Sequence, residues 1–292
     1  ADPWRFQPNV EVYVLVAFLV GAYTYMVRVI GPDAVAPGEP VVTRRQFRCF
    51  IGSMVMLFVA STWPIHQIGE DYLYSAHMLQ HMMLSYFLPP LVLLATPEWL
   101  LRVLVGDATT YRVVRFFTKP VVAAVIFNGV VMVTHIPQVV NGSTVNGPLH
   151  FLLHFAVVTT AVLAWMPVVG PLPELHMRHA GKMIYLFLFS VVPTVPAAWL
   201  AIADKPVYTH YGDQPVRVWN IDAINDQQVA GLIMKVGGGV FLWTVVIYMF
   251  FKRFGRSTPQ ENTYRRAPEP EELLTYDDVA AAFDASKAPA EH

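Results

Sequence analysis

One cysteine, Cys49, stands in 292 residues. That excludes a disulfide framework and every Cys-rich zinc or iron–sulfur motif. Charge is scarce too: Asp, Glu, Lys and Arg make up 14% of the chain, against about 25% in an ordinary soluble domain. The 20 Lys and Arg nearly balance the 21 Asp and Glu, so no net basic field favours nucleic acid. There is no Ser/His/Asp arrangement, no HExxH helix, no paired catalytic carboxylates in a plausible cleft, no nucleotide loop and no internal repeat. Glu70 and Asp71 read as solvated residues of a short loop. Nothing argues for hydrolysis.

What is abundant is apolar surface, 55% of residues with a mean hydropathy of +0.43. A bilayer core of roughly 30 Å needs about 20 mostly apolar residues per helix. Seven stretches meet that length, at about 10–30, 47–67, 75–104, 120–140, 149–170, 183–203 and 229–251. They lack period-two alternation and are too long for barrel strands. The expected fold is therefore all-α, a polytopic membrane protein with seven transmembrane helices in a bundle over residues 1–254. Pro89-Pro90 predicts a kink or break in the third span, and Pro193 with Pro196 a bend in the sixth. Gly237-Gly238-Gly239 reads as close helix packing. From Gly255 to His292 the chain is charged and proline-bearing, which predicts a flexible cytoplasmic tail with a short helix after Thr275.

Lys and Arg set the orientation. Sixteen of the twenty lie in the loops after spans one, three and five and in the tail, whereas the other face holds Arg5, Lys205 and Arg217. The N-terminus is expected outside and the C-terminus in the cytoplasm. A chain beginning without Met also fits a processed or trimmed N-terminus.

With that topology the histidines acquire a depth. His66 ends span two, His77 and His81 open span three, His135 lies near the end of span four, and His150 and His154 open span five, all on the outer side. His77/His81 and His150/His154 are i, i+4 pairs, so the two rings of each share a helical face about 6 Å apart along the axis. Two such pairs on neighbouring helices can converge on metal, as facing helices do in bundle sites. Interleaved Met78, Met82 and Met83, with Met132 one turn before His135, make a borderline-to-soft donor set that suits copper. Haem is the competing cofactor, through one axial His from each helix, although two histidines a turn apart cannot be trans ligands of one iron. Asp226 and Gln227 open span seven; Asp226 reads either as a helix cap or as acceptor of the second N–H of a ligating imidazole. Lys235, two turns deeper, should pair or line a polar crevice. Gln80, next to His81 in sequence, reads as facing elsewhere and is a weaker candidate for supporting the histidines.

The run Tyr74-Ser75-Ala76-His77-Met78-Leu79-Gln80-His81-Met82, continuing to Pro89-Pro90, resembles the signature of the CtaG-like cytochrome c oxidase assembly factors of Gram-positive and related bacteria. His135-Ile136-Pro137, His150 and His154 followed by Trp165-Met166-Pro167, and Asp226-Gln227 with Gly231 and Met234 agree in order. The resemblance implies a multi-pass protein of the bacterial plasma membrane that holds or delivers copper, as Cu(I) or Cu(II), on the extracytoplasmic side during maturation of a haem–copper oxidase. It implies a metallochaperone rather than a catalyst, with metal roles for His77, His81, His135, His150 and His154. His66 is an additional candidate from its depth alone. Asp226 would support them, with Gln227, Met78 and Met82 around them. Expected partners are an oxidase subunit or respiratory supercomplex, membrane lipid and an extracytoplasmic copper donor, with no nucleic acid. Lys235 departs from the apolar or aromatic residue expected there. The alternatives are a haem- or copper-containing membrane redox protein, and a metal-free structural subunit of a respiratory oxidase complex.

Overall fold

The computed structural model describes residues 2–264, with side chains through Arg253. Every regular element among the described residues is helical. In chain order these are α1 (Val10–Ala34), α2 (Arg44–Ser61), α3 (Ile65–Asp71), α4 (Tyr74–Ala95), α5 (Glu98–Val105), α6 (Ala108–Phe117), α7 (Pro120–Thr134), α8 (Pro137–Thr144), α9 (Gly147–Val169), α10 (His179–Ile202) and α11 (Ala223–Arg253). Counting α2 with α3, six helices are long and apolar enough to cross a bilayer, and seven if α6 and α7, bent by 66°, form one span. The chain divides into two units, Ala1–Ile247 and Tyr248–His292. All contacts described below lie in the first.

Local chemistry explains where the helices begin. Thr43 and Gln46 form a reciprocal capping box ahead of α2. Asn146 accepts from the backbone of Leu149 ahead of α9, with Pro148 in the first turn. Asp107 and Asp222 cap α6 and α11. Helix α4 starts after Leu73, which offers no capping side chain.

The prolines behave differently from the sequence expectation. Helix α4 runs through Pro89-Pro90 to Ala95, because the five residues before them, Met83–Phe87, are in π register. A wider turn moves the carbonyl that proline would strike, and Ser85 Oγ donates to the His81 carbonyl at 2.6 Å. The chain breaks instead at Thr96-Pro97, where the residue before proline is extended. The third span, expected to reach about 104, thus ends at Ala95; residues 98–104, expected within it, and 105–117, expected as loop, form α5 and α6. Helix α6 buries no residue and exposes Val113 and Phe116 beside Arg112 and Arg115, an amphipathic pattern suited to a membrane surface. Helix α10 is interrupted by turns at 190–193, as Pro193 requires. The last helix continues to Tyr264, beyond the Gly255 boundary; the short helix expected after Thr275 lies outside the described residues.

Helix α4 is central, packing on α2, α3, α9 and α11, while Val10–Tyr25 of α1 buries nothing. Val14, Phe18, Val121, Phe151, Phe155 and Val240 are exposed along four helices, a lipid-facing surface far beyond the apolar patches of soluble monomers. Of the three glycines read as close packing only Gly238 takes part, where a Cβ would stand 3.1 Å from Met82 Cε; a Cβ at Gly237 or Gly239 would meet nothing within 4 Å. The two ends of the bundle are each tied across loops. At one end Trp4 meets Trp219 and Phe6 meets Trp63, with ring centroids 5.7 and 5.8 Å apart. There, too, Tyr208 donates to the His135 carbonyl and Tyr211 to the Gly69 carbonyl. At the other end Trp99 Nε1 donates to the Val41 carbonyl, and Arg102 pairs with Glu174.

Candidate metal centre

Two helices present the four paired histidines at matched depth. His77 and His81 are the fourth and eighth residues of α4, and His150 and His154 the fourth and eighth of α9. The start of α4 is set by another helix: the Asp226 carboxylate accepts from the backbone N–H groups of Tyr74 and Ser75 at 2.7 and 3.0 Å and from Ser75 Oγ. These are the donors that a helix N-terminus leaves unsatisfied, so α11 supplies the cap that Leu73 does not. Neither reading of Asp226 is what forms: its own helix is capped by Asp222, and among the described residues no imidazole bonds to it; Asp226 instead caps the helix carrying His77 and His81.

A third element adds a carboxylate. Helix α3 closes against α4 at Gly69, where a Cβ would lie 2.9 Å from the backbone nitrogen of His77 and 3.0 Å from its Cα. Only glycine permits that approach, and it brings the next residue, Glu70, among the imidazoles. Glu70 Oε1 lies 2.8 Å from His150 Nε2, 3.6 Å from His77 Nδ1 and 3.9 Å from His66 Nδ1. The solvated loop expected around Glu70 is instead the end of a packed helix, and its side chain keeps 17% exposure.

The rings then close into one cluster. Centroid separations are 4.5 Å for His77–His81, 4.7 Å for His81–His154, 4.3 Å for His150–His154 and 5.7 Å for His77–His154. Two overlapping donor sets emerge, His77/His81/His154 and Glu70/His150/His154, each with one ligand atom per residue and all those atoms within 4.8 Å of one another. Glu70 Oε1, His77 Nδ1, His150 Nε2 and His154 Nε2 are buried and make no well-formed hydrogen bond, the 2.8 Å contact of Glu70 with His150 being an ion pair only when that imidazole is protonated. An unsatisfied buried polar atom costs about 1–3 kcal/mol. Lone pairs left free and turned toward one another are what a cation needs, and the nitrogen-rich donor set fits a late transition metal better than magnesium or calcium.

The remaining expected site residues separate. His66 flanks the cluster, but its Nδ1 contacts Gln80 Nε2 at 3.1 Å, so it stands outside both donor sets. Gln80 is buried and serves this contact, contrary to the expectation that it faces elsewhere. His135 donates through Nδ1 to the Val131 carbonyl at 2.7 Å, leaving Nε2 buried and unpartnered, also outside both sets. Gln227 ties the last loop, accepting from Val207 N at 2.6 Å and donating to the Leu200 carbonyl; it does not reach the imidazoles. Met78 packs with Tyr74, Tyr208, Tyr211 and Met234, and Met82 lies against Gly238. Lys235 lies in the π-helical stretch Ile233–Gly237, donates to Thr194 Oγ1 at 2.7 Å and lines a small crevice with Ser190 and Tyr86. That is the polar crevice expected of it.

The loop between α10 and α11 secures the carboxylate end. His210 Nε2 lies 3.0 Å from the Glu70 carbonyl and Tyr211 donates to that of Gly69 at 2.8 Å. Burial, then the nearby Glu70 and Asp226 charges, raise the Tyr211 phenol well above its ordinary range, so it stays a donor. Two residues escaped sequence reasoning here, Glu70 as a ligand and Gly69 as the contact that admits it. Glu70 stands four residues after His66, a spacing that becomes a shared face only if the helix continues past Pro64.

No curated protein and no solved structure matches the chain. The family model of the cytochrome c oxidase caa3 assembly factor matches residues 21–255, four-fifths of the sequence and every helix that builds the cluster, and the chain belongs to that family.

Proposed function

We propose that this assembly factor binds copper in the α3–α4–α9 cluster and hands it to a subunit of a haem–copper oxidase during assembly of its copper centre. The observation that carries the reading is the convergence of the Glu70, His77, His81, His150 and His154 ligand atoms in two overlapping sets, with buried, unpartnered atoms on all but His81. Copper is cargo here, so the protein needs no catalytic group. It needs donors that hold the ion and a place where a partner can reach it. His150 and Glu70 keep 15% and 17% side-chain exposure at the end of the bundle away from the Arg-rich loops, which suits transfer.

The membrane topology supports the same reading. Loops two, four and six meet one another at the histidine end, while loops one, three and five meet at the other. Seven crossings with α7 as the fourth, N-terminus outside and C-terminus in the cytoplasm of a bacterial plasma membrane satisfy both these contacts and the Lys/Arg bias. The oxidase copper centre would then be approached from the extracytoplasmic side. For haem, a macrocycle would have to pass between α4 and α9, whose imidazole rings already pack at 4.7–6.2 Å across the gap; that packing favours an ion.

Copper analysis tests the proposal. The purified protein, loaded with Cu(I) in detergent under conditions that keep it folded, should retain about one equivalent, as the sharing of His154 implies. Less than about a tenth of an equivalent, too little for any site of this donor number, overturns the reading. His77→Ala combined with His81→Ala should lower both bound copper and the copper content of the oxidase. Unchanged oxidase copper in that variant refutes delivery.

A further inference from the structure

The two donor sets meet at one residue, His154. A neutral imidazole has one lone pair, its other nitrogen carrying the proton. His154 can therefore ligate one ion at a time, and the two sets cannot both be filled through it. We propose that they are successive stations for a single copper ion: an outer one, Glu70/His150/His154, that receives and releases, and an inner one, His77/His81/His154, that holds. The proposal rests on the copper reading above and adds to it the path and the role of Glu70.

Position separates the stations. His150 lies in the first turn of α9, and Glu70 is one residue from the end of α3. His81 and His154 lie one turn further along their helices, about 6 Å deeper. The ligand atoms Glu70 Oε1, His150 Nε2 and His154 Nε2 are all buried, while the side chains of Glu70 and His150 keep 17% and 15% exposure against 12% for His77. An ion arriving from the aqueous side meets the carboxylate and His150 first.

Donor chemistry separates them too. Three neutral imidazoles form a set that soft monovalent copper accepts, whereas the outer set adds an anionic oxygen, a harder donor. A carboxylate attracts any cation and holds a soft one loosely, which suits a transient stop. Because His154 serves both stations, the ion need never be free in the apolar interior. It exchanges Glu70 and His150 for His77 and His81 while one bond persists. His77 Nδ1, 3.6 Å from Glu70 Oε1, bridges the gap between the sets. Bonds made and broken are metal–ligand bonds only, and the oxidation state is unchanged.

The experiment uses the full-length protein in detergent with Cu(I) alone as probe. Saturation at one equivalent is expected; two equivalents overturn the shared-ligand scheme. Glu70→Gln keeps the shape of the side chain and removes its charge. It should slow both loading and removal by a water-soluble Cu(I) chelator about tenfold, the size of effect seen when a ligand environment is changed. Equilibrium affinity should move much less, because the holding set is intact. Glu70→Asp, which restores the carboxylate, should recover part of the rate. Exchange rates in Glu70→Gln equal to the wild type overturn the relay while leaving copper binding standing. A wild-type protein that takes up no Cu(I) overturns both.

Discussion

The cap donated by α11 makes a quantitative prediction. Asp226 is 3% exposed and accepts the first two backbone N–H groups of α4. In Asp226→Ala those donors have no replacement within the protein. Loss of a helix cap costs about 0.5–2 kcal/mol, and an unsatisfied buried donor about 1–3 kcal/mol. Tyr74 N is fully buried and Ser75 N less so, so we expect about 2–4 kcal/mol. Asp226→Asn keeps one acceptor oxygen and should fall between. The cap also fixes where α4 begins, hence the height of His77 and His81 against α9. Unwinding the first turn would displace His77, the fourth residue. Copper affinity should therefore drop roughly ten- to hundredfold in the Ala variant, the penalty typical of losing a ligand's support. Thermal unfolding in detergent micelles, read by circular dichroism, gives the order wild type, Asn, Ala; competition with a Cu(I) chelator gives the affinities. An Ala variant that unfolds with the wild type and holds copper as tightly would refute the idea that α11 positions the cluster.

Three further outcomes follow from the same geometry. Gly69→Ala places a methyl 2.9 Å from backbone, where no rotamer change relieves it; overpacking of this kind costs about 1–3 kcal/mol. Pushing α3 from α4 should slow copper exchange as Glu70→Gln does, measurable in the same chelator assay. His154→Ala, which removes the residue common to both donor sets, should cost about 10–100-fold in Cu(I) affinity, whereas His66→Ala should cost less than about threefold. Tyr208 gives a pH dependence outside the membrane. Burial pushes its phenol up to about 12, so both folded and unfolded chains keep the proton below pH 10. Between about 10 and 12 the unfolded chain loses it first, and about 2–3 kcal/mol of stability is lost as pH rises. Unfolding at pH 9 and at pH 11.5 should show this decline in the wild type and a smaller one in Tyr208→Phe.

The class of protein, the approximate apolar stretches and the depth of the histidines were legible in the sequence because each depends on composition or on a short-range period. Too little charge and runs of about 20 apolar residues leave few alternatives to bilayer helices, and i, i+4 spacing puts two side chains on one face wherever the helix sits. The family resemblance carried by Tyr74–Met82 and its companion motifs was legible for the same reason, as linear order. Boundaries were less so. Pro89-Pro90 looked like a break, and only the preceding π turn, a cooperative feature of the whole helix, absorbs it. Residues 98–104 looked like the end of the third span because they continue its apolar run, and 105–117 looked like loop because an amphipathic surface helix has no long apolar run.

What tertiary structure alone decided is who meets whom. Asp226 could cap its own helix or touch an imidazole; it caps α4 across 152 residues of sequence, because α11 packs beside that helix end. Glu70 looked solvated, and Gly69 turned it inward by letting two backbones come within contact. His66 and His135 share the depth of the others yet stand outside the donor sets, one bonded to Gln80 and the other to the carbonyl of its own helix. Periodicity sets the face and height of a side chain on its own helix. The distance from there to a ligand on another helix depends on how closely the helices pack and how they are rotated, which no local pattern records.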